Sequence, residues 1–280
     1  MASNSIRCNM SKDDITADIR MTLGADYNHQ KAIVVVEGKD DITFFNGKLS
    51  DNVDIYESFS GKEGVKEIIS FFSEKRVVGI CDRDYTNSIS DKNLIYYDYL
   101  CLEMMLVSNI ETFHSFAYNF YFGSESPEEL LMRIFSGLKW LSIFRKLNSE
   151  NSWEVKFNGI SIAASCDDGG TNISIEKLLK RLDEINRGII SNHREYLVAV
   201  SSECREEYDI NTYLNITQGH DFIEYFHKIA NDSSPFSRSI SKDTLFGGLC
   251  CAYREQDFEA TNLYISLKEY CDVNNVKIVP

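Results

Sequence analysis

The sequence predicts an α/β fold in which a mostly parallel sheet is flanked by helices. Ala32–Val36 is a run of apolar residues with no polar alternation, as expected for a strand that is buried on both faces of a parallel sheet. Strand-like and helix-like segments then alternate from residue 32 to residue 97. This alternation is typical of βαβ units with right-handed crossovers.

The elements of this portion follow from apolar periodicity and capping residues. Ser11 is placed to cap a first helix, and Asp40 or Asp41 to cap the helix that follows the first strand. Val65, Ile68, Ile69 and Phe72 share one face of a later helix. The predicted helices span 11–23, 40–49 and 61–72, and the predicted strands span 32–36, 53–56, 76–81 and 94–97.

The remainder of the chain is predicted to be mainly helical. Asn158-Gly159 suits a type I′ turn and predicts a β-hairpin over 153–164. We therefore divide the chain into an α/β core over 1–108 and a helical insertion and C-terminal region over 109–280, packed on that core. The predicted helices of the later part lie within 99–107, 109–148, 173–187, 219–230 and 258–272.

Composition narrows the classes of protein to which the chain can belong. The 43% of hydrophobic residues supply a core, and no apolar run reaches the length of an ordinary transmembrane helix. The eight cysteines form no CxxC pair, and the five histidines are scattered. We expect reduced thiols, no structural zinc site and a cytoplasmic location without membrane contact.

The formal net charge of −14 is unusual for a protein that would bind nucleic acid unaided. The acidic excess is uneven, because residues 111–200 hold 10 basic and 12 acidic residues and are nearly balanced. A predicted helix in this region carries Lys177, Lys180 and Arg181, which are the best candidates for contacts with a phosphate backbone. A solvated helix face is the usual explanation of such cations.

Two acidic motifs follow apolar strands directly. Glu37-Gly38-Lys39-Asp40-Asp41 follows the first strand, and Asp82-Arg83-Asp84 follows the third. Carboxylates at the carboxyl ends of neighbouring parallel strands converge on one crevice, where they raise each other's pKa. A divalent cation relieves this repulsion, and Mg²⁺ prefers carboxylates together with substrate phosphates. The sequence thus predicts an enzyme that uses Mg²⁺ or Mn²⁺ and acts on phosphate esters.

The order and separation of these motifs resemble the TOPRIM domains of topoisomerases, primases, ribonuclease maturases and OLD-type nucleases. The resemblance covers about residues 31–108. The layout also resembles TOPRIM nuclease subunits that accompany an ABC-type ATPase in bacterial anti-phage defence, the group typified by AriB of the PARIS system. Tyr97–Glu103 and Gln218–Ile223 contribute to this second resemblance.

The resemblance implies a role for each site residue. Glu37 would be the acid/base or metal-linked glutamate, Asp82 and Asp84 would be metal ligands, and Glu103 is a candidate fourth carboxylate. For the substrate, Gly38 would let backbone approach a phosphate, whereas Lys39 and Arg83 would contact its charge.

The resemblance also implies a biological setting. The chain would be the toxic effector of an abortive-infection system that an ABC-type ATPase controls, hydrolysing RNA such as tRNA, or DNA. We expect a homodimer in the active state, built from segments after residue 110. The aromatic segments 118–122 and 245–251 are the candidate contacts, although they could equally fill a core.

Two other classes of function compete with a nuclease. Asp82–Thr86 also fits the DxDx(T/V) motif of haloacid-dehalogenase-like phosphatases, with Asp82 as nucleophile and Asp84 as acid/base. That interpretation leaves Glu37 and the preceding strand unexplained. Alternatively, the chain is a non-catalytic regulatory subunit, which suits its negative charge. A degenerate site would be expected to have lost one of the three acids, and none is lost.

Overall fold

The computed structural model describes residues 10–85 and 93–280, which divide into two compact units. The first unit contains the residues up to Leu102 together with Tyr253–Pro280, and the second is Glu103–Ala252. The first observed boundary lies near the predicted boundary at residue 108. The C-terminal segment, in contrast, belongs with the α/β unit rather than with the helical region.

The first unit contains the predicted sheet. Ser11 caps α1 through a reciprocal pair of hydrogen bonds with Asp14, as its position in the sequence predicted. The described elements of this unit are α1 (Lys12–Ala25), β1 (Ala32–Val36), α2 (Lys39–Phe45), β2 (Val53–Glu57), α3 (Gly61–Ser70), β3 (Val77–Cys81), β4 (Leu94–Tyr96) and, near the C-terminus, α13 (Glu255–Glu259) and α14 (Asn262–Asn274).

The four strands form one parallel sheet in the order β2-β1-β3-β4. This confirms an α/β fold with a parallel sheet flanked by helices. Every residue of β1 and β3 is buried, which explains why these strands read as continuous apolar runs. Val35 is paired with Gly79, so β1 and β3 end within one residue of each other along the sheet.

One face of the sheet packs against α1 and α3 through Ile19, Ile33, Val35 and Ile68, which belong to a single apolar cluster. Gly79 permits the close approach of α3. A Cβ added there would lie 2.6 Å from Val65 Cγ1, well inside the normal contact distance.

The C-terminal segment joins the first unit through a helix cap. The carboxylate of Asp98, two residues after the end of β4, accepts hydrogen bonds from the backbone N–H of Asn262 at 2.9 Å and of Leu263 at 2.8 Å. Phe258 adds ring contacts with Phe44 and Phe45. These long-range contacts explain why a boundary drawn only from local pattern misplaced this segment.

The second unit is helical in its described residues. The predicted helical regions over 109–148, 173–187 and 219–230 each contain helices, and the helices at Ile189–Asn192, Arg194–Glu203, Ile210–Leu214 and Lys242–Ala252 were not predicted. The helices are α4 (Leu102–Ser108), whose first residue belongs to the first unit, α5 (Ile110–Phe120), α6 (Pro127–Asn151), α7 (Ile175–Ile185), α8 (Ile189–Asn192), α9 (Arg194–Glu203), α10 (Ile210–Leu214), α11 (Gly219–Ser233) and α12 (Lys242–Ala252), with a short 3-10 helix at Ala163–Ser165. Across the described ranges, no helix combines the length and the apolar character needed to cross a bilayer.

The predicted β-hairpin over 153–164 is wrong, because this segment contains no strand. Its backbone groups are bonded to side-chain amides instead of to a partner strand. The N–H of Val155 donates to Asn148 Oδ1 and the N–H of Lys156 to Asn186 Oδ1, both at 2.8 Å. Glu154 also has φ 60°, which interrupts an extended run. The Asn158-Gly159 turn is present, but it connects irregular segments.

Candidate active site

Glu37 and Asp82 meet at the carboxyl edge of the sheet, as the sequence predicted. Each follows the last residue of one of two adjacent strands, β1 and β3. The Glu37 carboxylate accepts a hydrogen bond from the backbone N–H of Asp82 at 2.7 Å. The Asp82 carboxylate accepts one from the N–H of Leu102 at 3.2 Å. Both acids are therefore fixed by backbone donors rather than by neighbouring side chains alone.

The pKa of Glu37 lies near neutral pH. Burial of its half-buried carboxylate raises the pKa to about 7, and the negative charges of Asp41 and Asp84 act in the same direction. The hydrogen bond from Asp82 and the charge of Lys62 oppose these effects. A carboxylate with a pKa near 7 can both accept and return a proton at physiological pH, as a general base or acid requires.

Asp84 is held in an uncommon backbone conformation. Its φ is 52°, in the left-handed region, and its N–H donates to the Leu100 carbonyl at 3.0 Å. Its carboxylate forms an ion pair with Lys62, with 3.0 Å between Oδ2 and Nζ. Asp84 is close enough to Glu37 to raise the pKa of that residue, so all three predicted acids belong to one electrostatic environment.

Lys62 was not identified from the sequence as a site residue. It lies in the first turn of α3, immediately after β2, and donates to Asp84 Oδ2 and to the Arg83 carbonyl at 3.0 Å each. Gly61, with φ 51°, brings this turn beside Glu37, because an added Cβ would lie 3.5 Å from Glu37 Oε2. The sequence signal that could have identified it is Ser60-Gly61-Lys62, which follows β2 and so lies at the same edge of the sheet as the acids.

Asp41 and Tyr97 form a second feature that the sequence did not single out. Asp41 is buried in α2 and accepts hydrogen bonds from the Tyr97 hydroxyl at 2.5 Å and from the Gly38 N–H at 2.9 Å. Burial raises the pKa of Asp41 to about 6, against the lowering effect of both hydrogen bonds. The prediction that Asp40 or Asp41 is the N-cap of this helix is wrong, because Gly38 holds that position and Asp41 is the third helical residue, which accepts from the Gly38 N–H.

The three predicted substrate contacts on the same edge differ in their surroundings. Gly38 has an extended backbone, and a Cβ added there would meet only Asp41 Oδ2, at 4.0 Å. The fold therefore does not itself require glycine at this position. Lys39 is exposed in the first turn of α2, and Arg83 is half-buried between the two aspartates.

Glu103 lies in the second unit, where its side chain contacts Gly219 at the start of α11. A Cβ at Gly219 would lie 2.0 Å from Glu103 Oε2 and 2.8 Å from its Cβ, so this contact requires glycine. In the same helix, Asp221 is paired with Arg145, with 2.8 Å between Nε and Oδ2. This agrees with the interpretation of 218–223 as the start of a helix.

The basic residues of α7 are partly neutralised within the second unit. Lys177 Nζ lies 2.6 Å from Asp168 Oδ1, and Arg181 Nη1 lies 3.3 Å from Glu184 Oε2. Lys180 is exposed. Two of the three predicted phosphate contacts therefore already have acidic partners, so a phosphate would have to compete with those acids.

The acids at the sheet edge have the chemistry of a magnesium site but not its spacing. Their chemistry fits, since three carboxylates provide the hard oxygen ligands that Mg²⁺ or Mn²⁺ prefers. Their spacing is less favourable. Within residues 10–85 and 93–280, no three His, Cys, Asp or Glu side chains form a group that could hold a metal ion. The Asp84 carboxylate is instead engaged by Lys62.

A polar cleft of about 690 Å³ lies at the opposite, amino edge of the sheet, lined by residues such as His29, Lys31, Asn52 and Arg76. Arg76 is already paired with Asp26 and Glu74, and Lys31 with Asp54. None of the predicted acids lines this cleft. Chemistry, rather than cavity size, therefore locates the candidate site at the carboxyl edge.

Comparison with known protein families gives no matching family model, and comparison with curated proteins gives no significant match.

Proposed function

We propose that the chain is a metal-dependent nuclease that hydrolyses phosphodiester bonds in RNA or DNA, and that its first unit is a TOPRIM-like domain. The observation that carries this proposal is the meeting of Glu37 and Asp82 at the ends of two adjacent parallel strands, with Asp84 in the same electrostatic environment. This edge of an open α/β sheet is where ligands bind in other proteins of that architecture.

Each acid has a distinct proposed role. Asp82 and Asp84 would hold Mg²⁺ or Mn²⁺, which when bound supplies positive charge to the phosphate and lowers the pKa of water. Glu37, with its raised pKa, would take the proton from the attacking water. Arg83 and Lys39 would contribute positive charge at the rim of the site. Glu103 is retained as a candidate fourth carboxylate.

The net charge of −14 supports dependence on a partner for substrate binding. Following the resemblance to AriB-type subunits, we propose that an ABC-type ATPase holds the nuclease silent and releases it as a toxic effector of anti-phage defence. Uncontrolled cleavage of cellular nucleic acid would be harmful, so such control is expected of a chain with this activity.

We further propose that the active form is a homodimer formed through the second unit. Tyr118 and Phe122 are exposed there, which suits an interface, whereas Phe246, Leu249 and Cys250 are buried in the described structure and serve the core. The contact is therefore narrowed to the first of the two aromatic segments. Light scattering at micromolar concentration, with and without the ATPase and nucleotide, tests this; a monomer under every condition would contradict it.

One assay separates the nuclease from both alternatives. Purified chain, alone and with its ATPase partner, is incubated with Mg²⁺ or Mn²⁺ and with single-stranded DNA, duplex DNA, tRNA or p-nitrophenyl phosphate. A nuclease cleaves a polynucleotide and spares the monoester, whereas a phosphatase that uses Asp82 and Asp84 does the reverse. A regulatory subunit cleaves neither. Thr86, the last residue of the phosphatase motif, lies outside the described residues.

A further inference from the structure

The ammonium group of Lys62 lies beside the acids at the carboxyl edge of the sheet. It lies 3.0 Å from Asp84 Oδ2 and 3.0 Å from the Arg83 carbonyl, and it lies 5.4 Å from the centre of the Tyr96 ring. The Lys62 side chain is only 11% exposed. Three separate contacts thus fix a lysine side chain, which in solution has many accessible rotamers.

The neighbouring lysine of the same helix shows what an ordinary surface pair looks like. Lys66 pairs with Glu63 at 2.8 Å within α3, its side chain is 32% exposed, and Glu63 is largely in solvent. Lys62 instead reaches out of its own helix to the segment after β3. The pair of Lys62 therefore joins two elements of the candidate site, whereas the pair of Lys66 lies on a single helix face.

Lys62 also stabilises the local conformation of its partner. Asp84 has a positive φ, which costs free energy for a residue other than glycine, and it is held by Lys62 and by the Leu100 carbonyl. Among residues 10–85 and 93–280, the predicted acids do not form a three-ligand group. The ammonium group and a divalent cation would neutralise the same carboxylate.

We propose that Lys62 is a built-in counter-ion of the candidate site, which neutralises Asp84 in the metal-free chain and must be displaced before a divalent cation binds. This inference rests on the proposed function. It gives the chain a resting state in which Asp84 is neutralised internally, and it makes the affinity for the cation depend on a residue that is not itself a ligand. Lys62 is in this sense a positioning residue.

The first test measures Mn²⁺ binding by isothermal titration calorimetry for the full chain, Lys62→Met and Lys66→Met. Removal of the competing ammonium group should tighten Mn²⁺ binding by about three- to tenfold, the scale expected for an ion pair that involves a partly exposed carboxylate. Lys66→Met should bind as the unaltered chain does, because its pair lies outside the site.

The second test needs no substitution at Lys62 and therefore does not depend on the folding of a variant. Lysines of the unaltered chain are acetylated with and without saturating Mg²⁺, and the extent at each position is read by mass spectrometry. Mg²⁺ should raise the labelling of Lys62, which is released from Asp84, and leave the labelling of Lys66 unchanged.

The outcomes distinguish this inference from the proposed function. If the unaltered chain binds Mn²⁺ and Lys62→Met binds it equally well or more weakly, the counter-ion role is overturned and the nuclease proposal still stands. The same conclusion follows if Mg²⁺ does not raise the labelling of Lys62. Absence of Mn²⁺ binding by the unaltered chain and by Lys62→Met overturns both. Tighter binding by Lys62→Met together with metal-induced labelling of Lys62 supports the inference.

Discussion

The Glu37 carboxylate accepts a hydrogen bond from the backbone N–H of Asp82 at 2.7 Å, across 45 positions of sequence. This contact exists because β1 and β3 are adjacent and parallel and end within one residue of each other. It joins the two acidic motifs into one site and leaves Glu37 half-buried, which raises its pKa to about 7. The consequences of this arrangement can be measured separately from activity.

Glu37 should make the stability of the fold depend on pH. Its pKa is about 7 in the folded chain and 4.5 as the ordinary value, so the folded state binds more protons between these limits. The stabilisation from proton binding is therefore present at low pH and is lost as the pH rises to about 7. Glu37→Gln, which keeps the acceptor oxygen, should gain stability relative to the unaltered chain from about pH 5 to about pH 8.

Urea unfolding at several pH values measures this difference. The matched control is Glu63→Gln, an exposed acid in α3 whose pKa is lowered by its hydrogen bond to Lys66. The stability of Glu63→Gln relative to the unaltered chain should not increase as the pH rises. A stability difference for Glu37→Gln that is constant with pH would show that Glu37 does not titrate in this window.

Tyr97→Phe should destabilise the first unit. The hydroxyl of Tyr97 donates to Asp41, and both residues are buried, so the substitution removes a donor from a carboxylate that water cannot reach easily. We expect a loss of about 1–3 kcal/mol in the free energy of unfolding. Denaturant unfolding measures it, with Tyr27→Phe as the control because Tyr27 is 90% exposed. Equal stability of the two variants would contradict the role of the Tyr97 hydroxyl.

Asp98→Asn should loosen the C-terminal segment. Asp98 accepts hydrogen bonds from two backbone N–H groups in the first turn of α14, and its negative charge is favourable at that end of a helix. Loss of the charge should cost about 1 kcal/mol and increase proteolytic cleavage within Asn262–Asn274. Asp272→Asn, on the exposed side of the same helix, is the control. Identical cleavage patterns would argue against the cap.

Binding of nucleic acid by the isolated chain should be weak and should weaken further as salt rises. The net charge of −14 opposes phosphate binding, and Lys177 and Arg181 are already paired with acids. Replacement of Lys177, Lys180 and Arg181 by glutamine should reduce binding further while sparing Mn²⁺ binding. Fluorescence anisotropy at several salt concentrations measures this. Tight binding that does not respond to salt would contradict the charge argument.

The α/β unit was largely predictable from sequence because its information is local. The five apolar residues of β1 and the apolar face of α3 identify those elements without reference to the rest of the chain. The alternation of strands and helices further predicted a parallel sheet with both acidic motifs at its carboxyl edge, although not the strand order. These are the parts of the fold in which local pattern and tertiary structure agree.

The remaining features depend on contacts between residues that are distant in sequence. No local sequence pattern shows that Asp98 caps a helix 164 residues later. Nor does one show that the side chains of Asn148 and Asn186 accept hydrogen bonds from the backbone N–H groups of the expected hairpin. Lys62 was missed for a related reason. A lysine in the first turn of a helix usually lies in solvent, and only the parallel pairing of β1 with β2 brings it to the acids.

The central claim is that the acids at the carboxyl edge of the sheet perform metal-dependent phosphodiester hydrolysis. The most direct measurement is the rate of polynucleotide cleavage with Mg²⁺ by the unaltered chain, Glu37→Gln and Glu63→Gln, each alone and with the proposed ATPase partner. Loss of a general base predicts a decrease of about 10²- to 10⁴-fold for Glu37→Gln and no change for Glu63→Gln. Full cleavage by folded Glu37→Gln, or cleavage by the unaltered chain that persists in EDTA, would contradict the account.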